Sequence, residues 1–215
     1  MPLDAGLAGT PVEAAIHIGP CLVPIRSLGP NHTGRIYQHL ISLDENDRHL
    51  RFGYSAQDSH IRRYVDTLNF ERDEVFGIYD RKLLLLAIAH LAYLDVEDQA
   101  KCVEFGVSVL PHARTRGYGA RLFDRAAMHA ANDGISRMFI HALSVNGPML
   151  NIARKAGATV VRDGAESQAQ LLLAPSTLDT HVTELLSEQI GLTDYHLKVR
   201  AKQYKRIFAK VRVLA

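Results

Sequence analysis

The sequence predicts an α/β fold built on a mixed β-sheet, and two observations lead to this prediction. Of the 215 residues, 47% are apolar, which is enough to fill a sizeable core and too many for an intrinsically disordered chain. Segments with helical and with strand-like hydrophobic spacing also do not simply alternate along the chain. Helices come first, then a run of strands, and then strand, helix, strand, helix and strand. A doubly wound Rossmann domain would instead alternate strands and helices throughout.

The first half of the chain is predicted to hold an edge strand, two helices and an antiparallel hairpin. Pro24 inside the first apolar stretch is typical of an edge strand, because proline cannot donate to a sheet ladder. Apolar residues recur every three or four positions in the second helix, whereas the hairpin strands are apolar runs around a tight turn. The elements are strand 21–28, helix 33–43, acidic loop 44–47, helix 58–68, hairpin strands 75–79 and 83–94 with their turn at 80–81, and a second turn at 96–99.

The second half begins with the clearest strand of the sequence. Val103, Phe105, Val107 and Val109 alternate with polar or small residues over residues 103–110, which is the period of a strand with two different faces. A helix then leads to the Asp133–Gly134 stop, and two helical stretches beyond Pro175 are predicted to form an appendage. The remaining predicted elements are strand 136–143, helix 149–155, strands 158–161 and 169–173, and helices 176–190 and 195–213.

Composition excludes several classes of protein. The two cysteines, Cys21 and Cys102, form no C-x-x-C pattern, and none of the 11 histidines stands in H-E-x-x-H spacing, so we expect no disulfide framework and no metal site. Residues 1–20 have neither a basic nor a long apolar segment, so we expect a loosely held lead-in without an export signal. The apolar run 83–93 is shorter than the roughly 20 residues of a membrane helix. These features predict a cytoplasmic protein without a membrane span.

The C-terminus combines a basic charge with an apolar stripe. The whole chain carries a formal charge of +2, but seven basic and no acidic residues stand at positions 196–215. An apolar stripe with alternating steps of four and three, as in coiled coils, predicts packing on the body of the protein or against a second copy in a homodimer. Binding of nucleic acid, an anionic membrane or an acidic protein to the basic face is the less favoured alternative. The stripe consists of Leu197, Ala201, Tyr204, Phe208 and Val211.

A glycine-rich segment after strand 103–110 carries the chemistry. A helix start exposes about four unpaired N–H groups and the positive end of the helix dipole, so a glycine-rich entry is suited to phosphate oxygens. The P-loop pattern is absent, and Leu122 replaces the third glycine of the Rossmann fingerprint. The pattern that fits is Arg114-x-x-Gly117-x-Gly119-Ala120 directly after a strand.

At these residues the chain resembles the GNAT superfamily of N-acetyltransferases, whose acyl-CoA loop reads Arg/Gln-x-x-Gly-x-Gly/Ala. The Val-Ser-Val strand end before the loop, the strand 138–143 and Asn146 ahead of residues 152–158 also match that family. Glu104 and the Leu-Arg-Phe segment at 50–52 resemble a subgroup that includes bacterial protein-lysine acetyltransferases. The resemblance covers residues 21–174, so the predicted domains are a lead-in at 1–20, an acyl-CoA-binding domain at 21–174 and a helical extension at 175–215.

The resemblance implies a mostly antiparallel, twisted sheet flanked by helices, with acetyl-CoA as cosubstrate and no metal. Backbone N–H groups of the loop would hold the pyrophosphate, the arginine side chains could add charge-assisted bonds, and the strand before the loop would pair with the pantetheine arm. Asn146 would touch the cofactor or order a water, or serve only as a helix cap. The implied acyl-CoA-binding residues are Val107, Ser108, Val109, Arg114, Thr115, Arg116, Gly117, Tyr118, Gly119, Ala120 and Asn146.

Glu104 is the candidate catalytic base, acting directly or through water, and its alternative is a strand residue without a role. A lysine amine with a pKa of about 10.4 must lose a proton before it attacks a thioester, so a carboxylate is useful there. Ala153 stands where many family members have a tyrosine acid. We therefore expect direct acetyl transfer to a primary amine of a small molecule or a protein lysine, without a covalent enzyme intermediate. The alternative is a non-catalytic acyl-CoA-binding module whose basic C-terminal helix engages a partner.

Overall fold

A seven-stranded sheet forms the centre of the molecule in the computed structural model, which describes residues 23–94 and 101–213, with side chains up to residue 205. The strand order is β1-β2-β3-β4-β5-β7-β6, and only the β4 and β5 neighbours run parallel. The predicted mixed, mostly antiparallel sheet flanked by helices is therefore confirmed. The elements are β1 Arg26–Ser27, α1 Thr33–Ile41, α2 Glu45–Phe52, α3 Asp58–Asp66, β2 Glu74–Tyr79, β3 Leu85–Leu94, β4 Cys102–Val109, α4 Tyr118–Asn132, β5 Arg137–Leu143, α5 Gly147–Lys155, β6 Thr159–Asp163, β7 Glu166–Leu172 and α6 Leu178–Val213.

Each face of the sheet is covered by its own group of helices. Phe105 of β4 packs edge-on against Phe123 of α4, in a core completed by α5. On the opposite face, Ile88 of β3 packs with Ile36 of α1 and Ile61 of α3. The alternation of side chains along each strand thus separates a face under α4 and α5 from a face under α1, α2 and α3.

The parallel pair β4 and β5 separates part of the way along the strands. Their pairing consists of three residue pairs and ends at Glu104 opposite Phe139. Beyond this point β4 continues to Val109, still paired with β3, and β5 continues to Leu143, paired with β7. The two strands therefore open like a V, and within the described part of the chain the β4 backbone from residue 105 onward has no ladder partner on its β5 side.

The predicted acidic loop at 44–47 is wrong, because these residues begin helix α2. Asp44 is the N-cap residue, and its carboxylate accepts a hydrogen bond of 2.7 Å from the Asp47 backbone N–H. Acidic side chains favour a helix start, since they satisfy its free N–H groups and face the positive end of its dipole. The predicted edge strand is also shorter than expected, and the 1–20 lead-in and the 96–99 turn lie outside the described residues.

The two predicted C-terminal helices form one continuous helix, α6, of 36 residues. Gly191 lies at the predicted break, and a Cβ placed on it would stand 2.1 Å from the carbonyl oxygen of Ile25. The glycine therefore permits α6 to lie directly on the chain at the β1 edge. On one side of this crossing α6 binds α4 through Glu184, and on the other Tyr195 stacks under the Arg26 guanidinium at 3.8 Å.

The outer face of α6 remains apolar and exposed. Leu197 and Tyr204 are 61% and 62% exposed. The prediction that the stripe packs on the body of the protein is therefore wrong for these two residues. The stripe residues Phe208 and Val211 have side chains outside the described part. Across the described residues, no helix is long and apolar enough to cross a membrane.

Candidate active site

The loop before α4 ends in two residues with left-handed backbone conformation. Thr115 has φ of 62° and Gly117 has φ of 74°, and only the second is a residue type that adopts this region without cost. Gly117 is the N-cap residue of α4, and among the described residues no side chain caps the helix there. The N–H groups at the start of α4, in the segment that includes Tyr118, Gly119 and Ala120, are thus available to an anion, as the sequence predicts.

Gly119 brings the first turn of α4 close to its neighbours. A Cβ on Gly119 would stand 3.2 Å from Cδ1 of Ile152 in α5 and 3.9 Å from Cγ2 of Val109 in β4. The lack of a side chain at Gly119 therefore allows the start of α4 to pack closely against α5 and β4. A larger side chain at this position would require Ile152 to shift by a few tenths of an ångström.

The two loop arginines have different surroundings. The guanidinium of Arg114 forms an ion pair with Asp47 of α2, and its Nε donates to the Val109 carbonyl at 3.4 Å. Arg116 is exposed. Of the two side chains proposed for phosphate, Arg114 is thus engaged with α2, whereas Arg116 extends into solvent.

The opening in the sheet leaves the backbone of residues 107–109 for a ligand, while their side chains point elsewhere. Val107 and Val109 pack against the core under α4 and α5. The Ser108 hydroxyl donates to Nε2 of buried His39 at 2.8 Å, and His39 Nδ1 donates to the Leu85 carbonyl at 2.8 Å. Burial lowers the pKa of His39 to about 4, and the charge of Arg51 contributes, so this imidazole is neutral at pH 7.

Asn146 combines two structural contacts. Its Oδ1 caps α5 by accepting from the Met149 backbone N–H at 3.2 Å, and its Nδ2 donates to the Leu50 carbonyl at 3.4 Å. Together with the pair between Arg114 and Asp47, this bond fastens both ends of α2 across the opening between β4 and β5. Asn146 is therefore a helix cap that also positions α2, and its contact with a cofactor stays a prediction.

Glu104 lies at the point where β4 and β5 part. Its side chain is half-buried and shares the face of the strand that also carries Gly106 and Ser108. In the described part of the chain, its carboxylate makes no hydrogen bond or ion pair. An unpartnered carboxylate at the inner end of the opening between β4 and β5, which we call the cleft, is suited to accept a proton from a ligand. Ala153, at the place of the missing tyrosine, is fully buried.

A chain of hydrogen bonds beside Glu104 was not expected from the sequence. Nη2 of Arg51 donates to the Tyr64 hydroxyl at 2.9 Å, and that hydroxyl bonds to Nδ1 of His90 at 2.9 Å. Nε2 of His90 then reaches Asp73 at 3.3 Å. Because the tyrosine oxygen accepts from Arg51, its own proton is free for Nδ1, which leaves the imidazole proton on Nε2 for Asp73.

His90 is held neutral in this chain. Burial lowers its pKa to about 4, and the charge of Arg51 acts in the same direction, although Asp73 opposes both. His90 is paired with Gly106 across β3 and β4, so the chain lies next to the first unpaired residues of the opening. The sequence indicates this hydrogen-bonded chain only through a histidine that interrupts an apolar strand. Its four members come from segments that are distant in the sequence.

Comparisons with known proteins identify the family to which this architecture belongs. A sequence model of the "Acetyltransferase (GNAT) family" matches residues 43–158, more than half of the chain. A search of curated proteins found no match.

Solved structures share the fold at low sequence identity. The GNAT domain of S. lividans PAT superposes with a TM-score of 0.59 at 16% identity, over 69% of this chain and 89% of that one. The yncA protein of Salmonella typhimurium with its cofactor acetyl-CoA has a TM-score of 0.55 at 17% identity, over 71% and 95%. Spermidine N-acetyltransferase of Vibrio cholerae with CoA and spermine has a TM-score of 0.53 at 13% identity, over 69% and 94%. With the open strand pair and the glycine-rich helix start in place, the chain belongs to the acetyltransferase (GNAT) family.

Proposed function

We propose that this protein transfers the acetyl group of acetyl-CoA directly to a primary amine. The observation that carries the proposal is the alignment of three features along β4: an uncapped helix start, an unpaired strand backbone and an unpartnered carboxylate. They occur in the order in which the phosphates, the pantetheine arm and the thioester of acetyl-CoA follow one another. The family match supports the cosubstrate, whereas the role of each residue is our proposal.

The residues of the cleft fit such a cosubstrate. The start of α4 offers N–H groups and positive dipole to the pyrophosphate, and Arg116 adds a cation from solvent. The backbone of residues 107–109 replaces its missing ladder bonds with bonds to the pantetheine amides. The bound thioester supplies an activated acetyl group next to Glu104 and Gly106.

The proposed role of Glu104 is to take the proton of the attacking amine, directly or through water. A new C–N bond forms as the C–S bond breaks, and the electron pair of that bond leaves with the CoA sulfur. Since a thiol has an ordinary pKa of about 8.5, the thiolate is a good leaving group near neutral pH. A hydroxyl in place of Ala153 is therefore not required for turnover.

Three expectations accompany this proposal. The acceptor is the primary amine of a small molecule or of a protein lysine. The protein acts in the cytoplasm. The exposed apolar stripe of α6 supports a homodimer. Exposed apolar side chains on α6 include the stripe residue Leu197 at 61% and, closer to the start of the helix, Leu185 and Leu186 at 66% and 59%. Large exposed apolar patches are typical of contact sites between proteins.

The test compares Glu104→Gln with a matched control, Glu166→Gln, at an exposed strand carboxylate of β7. Acetyl-CoA binding is measured by calorimetry, and CoA release is measured with a panel of amines. The proposal predicts that Glu104→Gln keeps its affinity for acetyl-CoA and loses roughly 100-fold or more in kcat, while the control matches the unmodified protein. Binding without turnover on any amine would instead support a non-catalytic acyl-CoA-binding module.

A further inference from the structure

Arg51 is a half-buried cation without an anionic partner. In the described part of the chain it forms no ion pair, its Nε is buried without a hydrogen bond, and its one bonded partner is the Tyr64 hydroxyl. The guanidinium lies 5.3 Å from the ring centre of Phe52 and 5.5 Å from that of Tyr64. Removing a charge from water without pairing it is costly, so this arrangement favours an anion supplied from outside the chain.

Gly106 determines where this charge lies. A Cβ on Gly106 would stand 2.8 Å from the Arg51 Cζ, so any other residue would push the guanidinium off the strand. The guanidinium therefore lies on β4 just beyond the last residue paired with β5. Under the proposed function, this is the thioester end of the cosubstrate, because the phosphates bind at residues 117–120 and the arm follows 107–109.

Since no described residue supplies an anion to Arg51, we look for that anion in the acceptor. All negative charges of acetyl-CoA are on its phosphates, at the far end of the cleft, and its arm and thioester are neutral. Glu104 lies two residues before Gly106 on the same face of β4, which separates the two positions by about 6 to 7 Å. The cleft thus presents an unpartnered carboxylate and an unpartnered guanidinium side by side.

We propose that the acceptor is a small amino acid, whose amine faces Glu104 and whose carboxylate binds Arg51. This proposal rests on the proposed function and names its substrate class. A guanidinium binds a carboxylate through charge-assisted hydrogen bonds, and Nη1 of Arg51, which among the described residues has no hydrogen-bond partner and is not sealed from solvent as Nε is, can donate one. A polyamine or a lysine-rich peptide would place further positive charge against Arg51 and is disfavoured.

The experiment compares each amino acid with its carboxamide, which keeps the amine and the side chain but lacks the acid group. Rates of CoA release are measured for the unmodified chain, Arg51→Gln, Arg51→Lys and the control Arg63→Gln, an exposed arginine of α3. Melting temperatures show that each variant is folded. We expect the unmodified chain to prefer the acid over the amide by roughly 10- to 100-fold in kcat/KM.

The preference should fall to about twofold or less in Arg51→Gln, through a higher KM for the acid and with little effect on the amide. Arg51→Lys should retain part of it, and Arg63→Gln all of it. Equal losses on acid and amide would show that Arg51 acts on Glu104 or the fold, which overturns the inference. So would acetylation of polyamines or peptides in preference to amino acids, with the proposed function intact. If acetyl-CoA neither binds nor turns over, the proposed function itself fails.

Discussion

Replacing Glu184 with glutamine removes the carboxylate that holds helix α6 on helix α4. Its oxygens accept hydrogen bonds from Nη1 of Arg125 at 2.5 Å, from Nδ1 of His129 at 2.5 Å and from the Asn132 amide at 2.5 Å. The Arg125 side chain is buried, and its second carboxylate partner, Glu188, lies at 3.2 Å. The substitution therefore leaves a buried guanidinium with one carboxylate instead of two.

The magnitude follows from the pKa of Glu184. Burial acts to raise it, but the bonds from His129, Arg125 and Asn132 outweigh burial and lower it from the ordinary 4.5 to about 2. A difference of this size corresponds to about 3 kcal/mol of stability at neutral pH. Losing one partner of a buried pair costs about 3 to 5 kcal/mol, and Glu188 keeps the effect at the lower end. For a chain of this length, the melting temperature should fall by roughly 6 to 12 °C.

The pH dependence gives the result its sign. A carboxyl with a lowered pKa stabilises the fold above its ordinary value of 4.5, and that stabilisation is lost as the pH falls toward about 2. Although burial opposes it, Glu184 raises the pKa of His129, whose contribution is present below 6.5 and is lost as the pH rises through the raised value. The difference between the unmodified chain and Glu184→Gln should thus be largest between about pH 5 and 6.5.

The assay is urea unfolding followed by circular dichroism at pH 3, 4, 6 and 9, with Glu188→Gln and Glu166→Gln alongside. Glu188→Gln should cost less than Glu184→Gln, because Glu188 makes a single, longer contact with Arg125. Glu166→Gln, at the exposed strand carboxylate, should cost under about 0.5 kcal/mol. A loss below about 1 kcal/mol for Glu184→Gln at pH 6, or a loss that stays unchanged at pH 3, would refute the reasoning.

Three further predictions concern α6 and the buried histidines. Gly191→Ala should lower the free energy of unfolding by about 3 kcal/mol or more, because the added methyl overlaps the Ile25 carbonyl. The control Gly147→Ala, whose Cβ would meet no described atom within 4 Å, should cost little. Chemical denaturation of both variants checks this, and equal effects would contradict it. The free energy of unfolding should decrease as the pH falls from 6.5 toward 4. Burial, followed by the charge of Arg51, lowers the pKa of His39 to about 4, whereas the unfolded chain takes up this proton near 6.5. Unfolding curves of His39→Asn should show a weaker dependence on pH. Leu186→Lys combined with Leu197→Lys should convert a dimer to a monomer in sedimentation at fixed concentration, and an unmodified chain that is already monomeric would end the homodimer proposal.

Local patterns were sufficient for most of the sheet and for the glycine-rich start of α4. The alternation from Val103 to Val109 predicts a strand whose two faces differ, and β4 has that property in full. The glycines after it predict a helix start, and Gly117 is the N-cap residue of α4. Both features depend on residues within one element, so that period and backbone conformation decide them.

Features that depend on contacts between distant segments were missed. Gly191 lies inside the continuous helix α6, and from the sequence alone it resembles a helix break, because the Ile25 carbonyl that explains a glycine there comes from a distant segment. Asp44 reads as a loop residue unless its cap on Asp47 is recognised. Arg51 and His90 come together only when α2 and β3 pack, and neither their spacing nor their composition indicates this.

Titration calorimetry of the full chain with acetyl-CoA tests the central claim most directly, with ADP and NAD as competing ligands and Gly119→Glu as the variant. A glutamate at the start of α4 suits the helix dipole, and its Cβ comes tightly against the flexible end of Ile152 and into ordinary contact with Val109, so the variant should fold, but its charge repels phosphate. We expect saturable binding of acetyl-CoA at one site per chain and a melting temperature raised by roughly 5 to 10 °C at 100-fold the Kd. Gly119→Glu should lose both. Absence of binding at millimolar acetyl-CoA, or equal binding to a folded Gly119→Glu, would contradict the account.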